Sequence, residues 1–222
     1  MQEDTIAAIA TASGSGGIGI VRLSGPNASS IGDAVTAIAL KPRYAHFCHF
    51  RNATGAILDS GISLFFPAPN SFTGEDVVEL QAHGGSIILD LLLREVCTLG
   101  ARQALPGEFS QRAYLNDKID LTQAEAIADL INSTTEQAAL NASRTLQGEY
   151  SKKIDRLITL VTELRVYVEA AIDFPEEEID FLQNNQVSDK LRAITDQFDA
   201  IMTETQQGTL IQEGMKLVIA GK

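Results

Sequence analysis

Glycine and proline are unevenly spread along this chain. Thirteen of the 17 glycines and five of the six prolines lie at or before Gly107. Such residues are poor in long helices, because glycine costs backbone entropy there and proline removes a hydrogen bond. The first half therefore reads as short strands joined by tight connections. After Leu121 both residues become scarce, and the pattern turns helical. The expected boundary lies between residues 118 and 121. This predicts an α+β domain over 1–118 and an all-α domain with long antiparallel helices over 119–214. A further segment, 215–222, differs from both.

In the first part, residues 5–10, 18–23, 44–50 and 57–66 are apolar runs of strand length, the last stopped by Pro67-Ala68-Pro69. Residues 27–40 carry helical spacing. Residues 77–82 form a strand that runs into His83-Gly84-Gly85. A helix follows, with Ser86 as its expected N-cap, Ile87, Ile88, Leu91, Leu92, Val96 and Leu99 as its apolar residues, and Gly100 as its C-terminal cap.

In the second part, Thr122 with Glu125 and Ser133 with Glu136 fit capping boxes. Gly148 interrupts the pattern. Ile154, Leu157, Val161, Leu164, Val168 and Ala171 then recur at alternating spacings of three and four, the seam of a helix packing lengthwise on a neighbour. Pro175 ends that run. Val187, Leu191, Ile194, Phe198 and Ile201 repeat the spacing.

The formal net charge is -12, from 17 Lys and Arg against 29 Asp and Glu. Phosphate binding depends on clustered Lys and Arg, so this chain is not itself a primary nucleic-acid grip. Met1-Gln2-Glu3-Asp4 is acidic where a secretory leader is basic. No run approaches the ~20 apolar residues of a membrane-spanning helix. Cys48 and Cys97 form neither a disulfide framework nor a C-x-x-C pair. The expectation is a soluble, cytoplasmic protein with reduced, buried thiols and no membrane partner.

Several motifs invite a chemical reading. Gly14-Ser15-Gly16-Gly17-Ile18-Gly19 matches a dinucleotide fingerprint, but a strand follows where a helix is required, which favours a glycine-rich turn. His46, Cys48 and His49 are possible metal ligands without a second cluster to complete a site, so no metal centre is expected. The acidic stretch over 173–180 reads as a solvated turn. His83, Gly84 and Gly85 precede a helix start, where backbone N–H groups attract anions and glycine admits a ligand closely. Residues 106–118 are polar and turn-rich at the domain junction, a favoured place for a ligand. Gly214 to Lys222 is an apolar run between glycines, as in a strand of a parallel sheet. Gly221 could open a phosphate-binding loop after such a strand. The chain is thus expected to stop as a nucleotide-binding domain begins, without hydrolysing nucleotide itself.

Six stretches, 4–11, 16–25, 69–76, 106–118, 124–131 and 167–181, together resemble the bacterial tRNA-modification GTPases of the MnmE (TrmE) family. They include Gly16-Gly17-Ile18-Gly19-Ile20-Val21-Arg22-Leu23-Ser24-Gly25 and Pro69-Asn70-Ser71-Phe72-Thr73-Gly74-Glu75-Asp76. They occur in the family's order and span the chain. One departure is Ala82, where the family often has glycine.

The resemblance implies an N-terminal domain like the folate-binding domain of aminomethyltransferases, forming a homodimer and holding 5-formyl- or 5,10-methylene-tetrahydrofolate. It implies a helical domain carrying an inserted Ras-like α/β G domain, which opens at 215–222 and uses GTP, potassium and magnesium. It also implies an MnmG-type FAD protein as partner, and transfer of an aminomethyl-type group to the wobble uridine of certain tRNAs. Arg22, Glu79 and Lys118 match the family's folate contacts. A carboxylate such as Glu79 can accept the adjacent N–H and amino donors of a pterin, while Arg22 and Lys118 can donate to folate carbonyls and carboxylates. No catalytic residue is expected in this chain. A self-sufficient one-carbon transferase would need a general acid or base beside the folate carbon, and none stands out. A dimerisation scaffold with a vestigial pocket is a further alternative.

Overall fold

The computed structural model describes residues 4–173 and 186–213. The chain divides into two compact units, Met1–Ile119 and Asp120–Lys222.

The first unit is built on one sheet. Its strands are β1 (Ile6–Ile9), β2 (Gly16–Ser24), β3 (His46–Arg51), β4 (Ile57–Phe66), β5 (Val77–Gly84) and β6 (Arg102–Gln103), in spatial order β3-β4-β5-β2-β1-β6. All neighbours run antiparallel except β1 and β6. Alternation along the strands turns Val21, Leu23, Phe50, Phe65, Val78, Leu80 and Ala82 to one face. There they meet Ile31 and Val35 of α1 (Ala28–Thr36), and Leu89, Leu92 and Val96 of α2 (Ser86–Thr98). Each Val, Leu, Ile or Phe among them contributes about 1.5–3 kcal/mol on burial. The opposite face carries Arg22, Glu79, Gln81 and His83 together with the apolar Ile62 and Phe47.

Local structure departs from expectation in several places. Gly16 and Gly17 belong to β2 rather than to a turn, and the strand is irregular between Gly16 and Gly19. Gly84 lies so close to β2 that a Cβ there would fall 2.7 Å from the Gly16 carbonyl oxygen. α1 ends at Thr36, where Ala37 takes a left-handed φ of 56°, and the Leu40 N–H donates to Asp33 Oδ1 instead of continuing the helix. β3 begins at His46, after Arg43 at φ 57°. The N-cap of α2 is Gly85, and Ser86 is already helical. Gly100 closes that helix: its N–H donates to Cys97 O and the Ala101 N–H to Val96 O, the paired bonds of a Schellman motif. Residues 106–118 hold a short helix, α3 (Glu108–Leu115), not read from the sequence.

The second unit is helical: α4 (Leu121–Asn132), α5 (Glu136–Leu146), α6 (Glu149–Asp173) and α7 (Gln186–Glu213). The capping box of α4 is made by Asp120 and Gln123. Thr122 instead bonds Asp120 and Ser151. α5 is capped by Thr135, whose hydroxyl accepts from the Ala138 N–H, while the Ser133 hydroxyl turns back to Asp129 O. The cap of α4 thus falls two residues before the expected Thr122, which lies within the first turn, and that of α5 two residues after the expected Ser133. Side chains tie α6 to α7 at Tyr150 with Thr205, Lys153 with Glu204, and Glu163 with Lys190. Ile201 is buried. No α6 residue is fully buried, and Val161, Val168, Leu191 and Phe198 of the apolar seams stay exposed.

No helix among the described residues is long and apolar enough to cross a membrane. The segment 214–222, with Gly221, and residues 174–180 of the acidic stretch lie outside the described residues.

Candidate ligand site

Arg22 and Glu79 stand opposite each other in the β2–β5 register. Both project from the face of the sheet away from the core. The Arg22 Nε and Nη2 donate to Glu79 Oε1 at 2.9 and 2.7 Å. The pair is half-buried, with side chains 29% and 14% exposed. Two rings flank the guanidinium, its Cζ lying 5.8 Å from the Phe72 centroid and 5.9 Å from that of Phe109. Phenylalanine faces attract a cation and shield it from water. The result is a charged pair with aromatic walls, suited to a flat polar ligand.

Phe72 lies on the loop over 67–76, which Gly74 helps to turn with a φ of +79°. Phe109 comes from α3. That helix starts after Gly107 and closes through a second Schellman motif: Asp117, at φ 54°, donates to Tyr114 O, and the Lys118 N–H to Ala113 O. The motif delivers Lys118 back to the loop, where its Nζ donates to Pro69 O at 2.9 Å. Arg22 and Glu79 therefore meet directly, whereas Lys118 bonds the loop between them and α3.

Behind the loop lies an ionic network with a buried centre and an exposed rim at Arg102 and Asp4. Arg112 is 3% exposed and Glu108 2%. Arg112 donates to Glu75, Asp4 and Glu108; Arg102 donates to Asp4 and Glu108. Arg102, then the Leu105 N–H and Arg112, hold the Glu108 carboxyl down at about 2 against the cost of burial. Arg102, then Arg112, also lower Asp4. Burial opposes the charge on Arg112, yet bonding to Asp4 and the neighbouring carboxylates raises its pKa overall.

His83, Gly84 and Gly85 occupy the far end of β5 and the start of α2. The His83 ring Nδ1 lies 2.8 Å from Asp59 Oδ1, and its backbone N–H donates to Asp59 Oδ2. Burial works to raise the Asp59 carboxyl, but the His83 bonds outweigh it and hold it below the usual range. His83 borders an open hollow of about 220 Å³ with Ile18, Phe47 and Ile62. His46, Cys48 and His49 each have other partners: Nε2 of His46 accepts from the Lys41 N–H, His49 pairs with Ser60, and buried Cys48 lies against Ser63. Ala82 is an ordinary buried residue of β5 without a positive φ, so its methyl is accommodated.

Sequence reasoning did not single out Phe72, Phe109 or the Arg112 network. One signal was available: Glu108 and Arg112, four apart after Pro106-Gly107, form the opposite-charge pair of a short helix.

The described residues thus form an α+β sheet unit followed along the chain by a helical unit. Residues 5–118 match the family model described as GTP-binding protein TrmE N-terminus, and residues 121–216 match that of the MnmE helical domain. The chain belongs to the MnmE (TrmE) family. It is 61% identical over 219 residues to the tRNA modification GTPase MnmE of Marinobacter nauticus, covering 99% of this chain and 48% of that protein. The protein of the same name from Saccharophagus degradans is 59% identical with the same coverage. That of Shewanella oneidensis is 56% identical over 223 residues, covering 100% of this chain and 49% of the relative. The chain thus spans about half the length of the curated relatives it matches.

Proposed function

We propose that this chain is the folate-binding and scaffolding part of a cytoplasmic tRNA-modification GTPase. In this reading 1–118 is the folate domain, 119–214 belongs to the helical domain with α6 and α7 antiparallel, and 215–222 opens a Ras-like G domain using GTP, potassium and magnesium. The folate domain pairs with a second copy. The assembled protein works with an MnmG-type flavoprotein and a tetrahydrofolate one-carbon donor to add an aminomethyl-type group to a wobble uridine in tRNA.

The observation that carries the folate assignment is the Arg22–Glu79 pair between Phe72 and Phe109. A pterin is flat and edged with adjacent donors and a carbonyl. A carboxylate beside a guanidinium offers the complementary acceptors and donors, and the rings offer a stacking surface. Lys118 supplies a cation for the ligand's carbonyls or anionic tail.

Calorimetric titration with 5-formyltetrahydrofolate tests the reading. Glu79→Ala is expected to weaken binding by roughly 1–3 kcal/mol, because the pterin donors lose a charged acceptor. Unchanged affinity in that variant would remove Glu79 from the site, and absence of binding by the unaltered chain would leave the scaffold reading in its place.

A further inference from the structure

We infer that Arg112 and Glu75 are positioning residues of the ligand site, whose buried ion pair sets the loop that walls it. What the site holds is taken from the folate reading above. The loop over 67–76 has no regular secondary structure, and such connections are usually mobile. This one is tied to rigid elements at several points. Arg112 Nη1, on α3, donates to both oxygens of Glu75 at 3.1 and 3.2 Å. Ser24, at the end of β2, donates to Glu75 Oε2 at 2.7 Å, and its Oγ lies 2.6 Å from the Thr73 hydroxyl. Asn116 donates to Thr73 O at 2.7 Å.

The tether lies close to the site along the chain. Ser24 is two residues from Arg22 on β2, and Glu75 is four residues before Glu79. Just before Thr73 and Glu75 the loop presents Phe72 to the Arg22 guanidinium and the Pro69 carbonyl to Lys118. A cation as buried as Arg112 persists only when paired, and Glu75 is one of its three carboxylate partners, beside Asp4 and Glu108. Releasing Glu75 removes the Arg112 and Ser24 tethers to its carboxylate and leaves the loop held by Asn116 at Thr73 O and by Arg43 at Asn70 O, which loosens one wall of the site and the anchor of Lys118.

Arg102 supplies the control. It belongs to the same network and bonds Asp4, Glu108 and Gln103 O, but not Glu75. Arg102→Met should lower stability while leaving the loop held. Glu75→Gln keeps the side chain's shape and removes the charge facing Arg112. In the 222-residue chain, Glu75→Gln is expected to raise the dissociation constant for 5-formyltetrahydrofolate about tenfold. Amide hydrogen exchange over 69–76, measured without ligand, should accelerate by a similar factor. Arg102→Met should leave both within about twofold while lowering the melting temperature. Should Glu75→Gln fail to fold, Ser24→Ala removes one donor to the same carboxylate and should move affinity and loop exchange in the same direction, by about threefold.

Equal losses of affinity in Glu75→Gln and Arg102→Met, tracking lost stability alone, would overturn the inference. If the unaltered chain does not bind the folate, the functional reading falls. The exchange comparison then still decides: unchanged exchange over 69–76 in Glu75→Gln means that Glu75 does not hold the loop.

Discussion

Glu108 illustrates how much one side chain can tie together. Its carboxylate takes bonds from Arg102, Arg112 and the Leu105 N–H, and so joins β6, the start of α3 and the chain's N-terminal segment through Asp4. Its pKa lies near 2, depressed from 4.5 first by the bond from Arg102. A depressed carboxylate stabilises the fold fully above its unfolded value and loses that contribution as pH falls through the folded value. The expected acid-sensitive window therefore runs from about 4.5 down to about 2. The contribution is on the order of 2 kcal/mol, after allowance for the solvent-exposed side of Arg102. Glu108→Gln should lower the melting temperature at neutral pH and flatten its decline across that window. An unchanged acid slope would show that other carboxylates govern it.

Among the elements, the helix starts test how local signals compete. Asp120 accepts from the Gln123 N–H, and Gln123 Oε1 accepts in return from the Asp120 N–H. Asp120→Ala should cost about 1 kcal/mol in chemical denaturation of the helical unit. Glu125→Ala, at the position the sequence pattern favoured, should stay within about 0.5 kcal/mol. A reversed order would restore the Thr122–Glu125 box. The sequence pattern identified the helices themselves more securely than their caps. Periodicity sums over many residues, whereas a cap depends on which of several adjacent Asp, Ser or Thr side chains turns inward.

For the whole molecule, the outer face of the sheet carries an exposed apolar patch. Phe47 is 76% exposed, Ile18 67% and Ile62 38%, and all three border the hollow beside His83. β3 also lies at the edge of the sheet, where an unpaired strand invites a partner. These features support the proposed pairing of two folate domains. If the domains pair as proposed, Phe47→Glu is expected to convert the dimer to monomer in sedimentation velocity without loss of secondary structure by circular dichroism. A wild-type chain that sediments as a monomer at about 100 µM would overturn the pairing.

Five of the six strands, the helix after Gly85 and the helical second part were readable because their signals are local: apolar period, turn residues and glycine placement act within a few positions of themselves. The two-residue β6 carries no such signal. The family resemblance drew Arg22, Glu79 and Lys118 from the same string. Nothing in that string brings Arg22 onto Glu79 across 57 residues, or Arg112 onto Asp4 across 108. Those meetings follow from strand order and from where α3 docks, and the energy that selects them is shared over the packed core. For that reason the ionic network behind the loop, and the two rings beside Arg22, came into view only once the chain was folded.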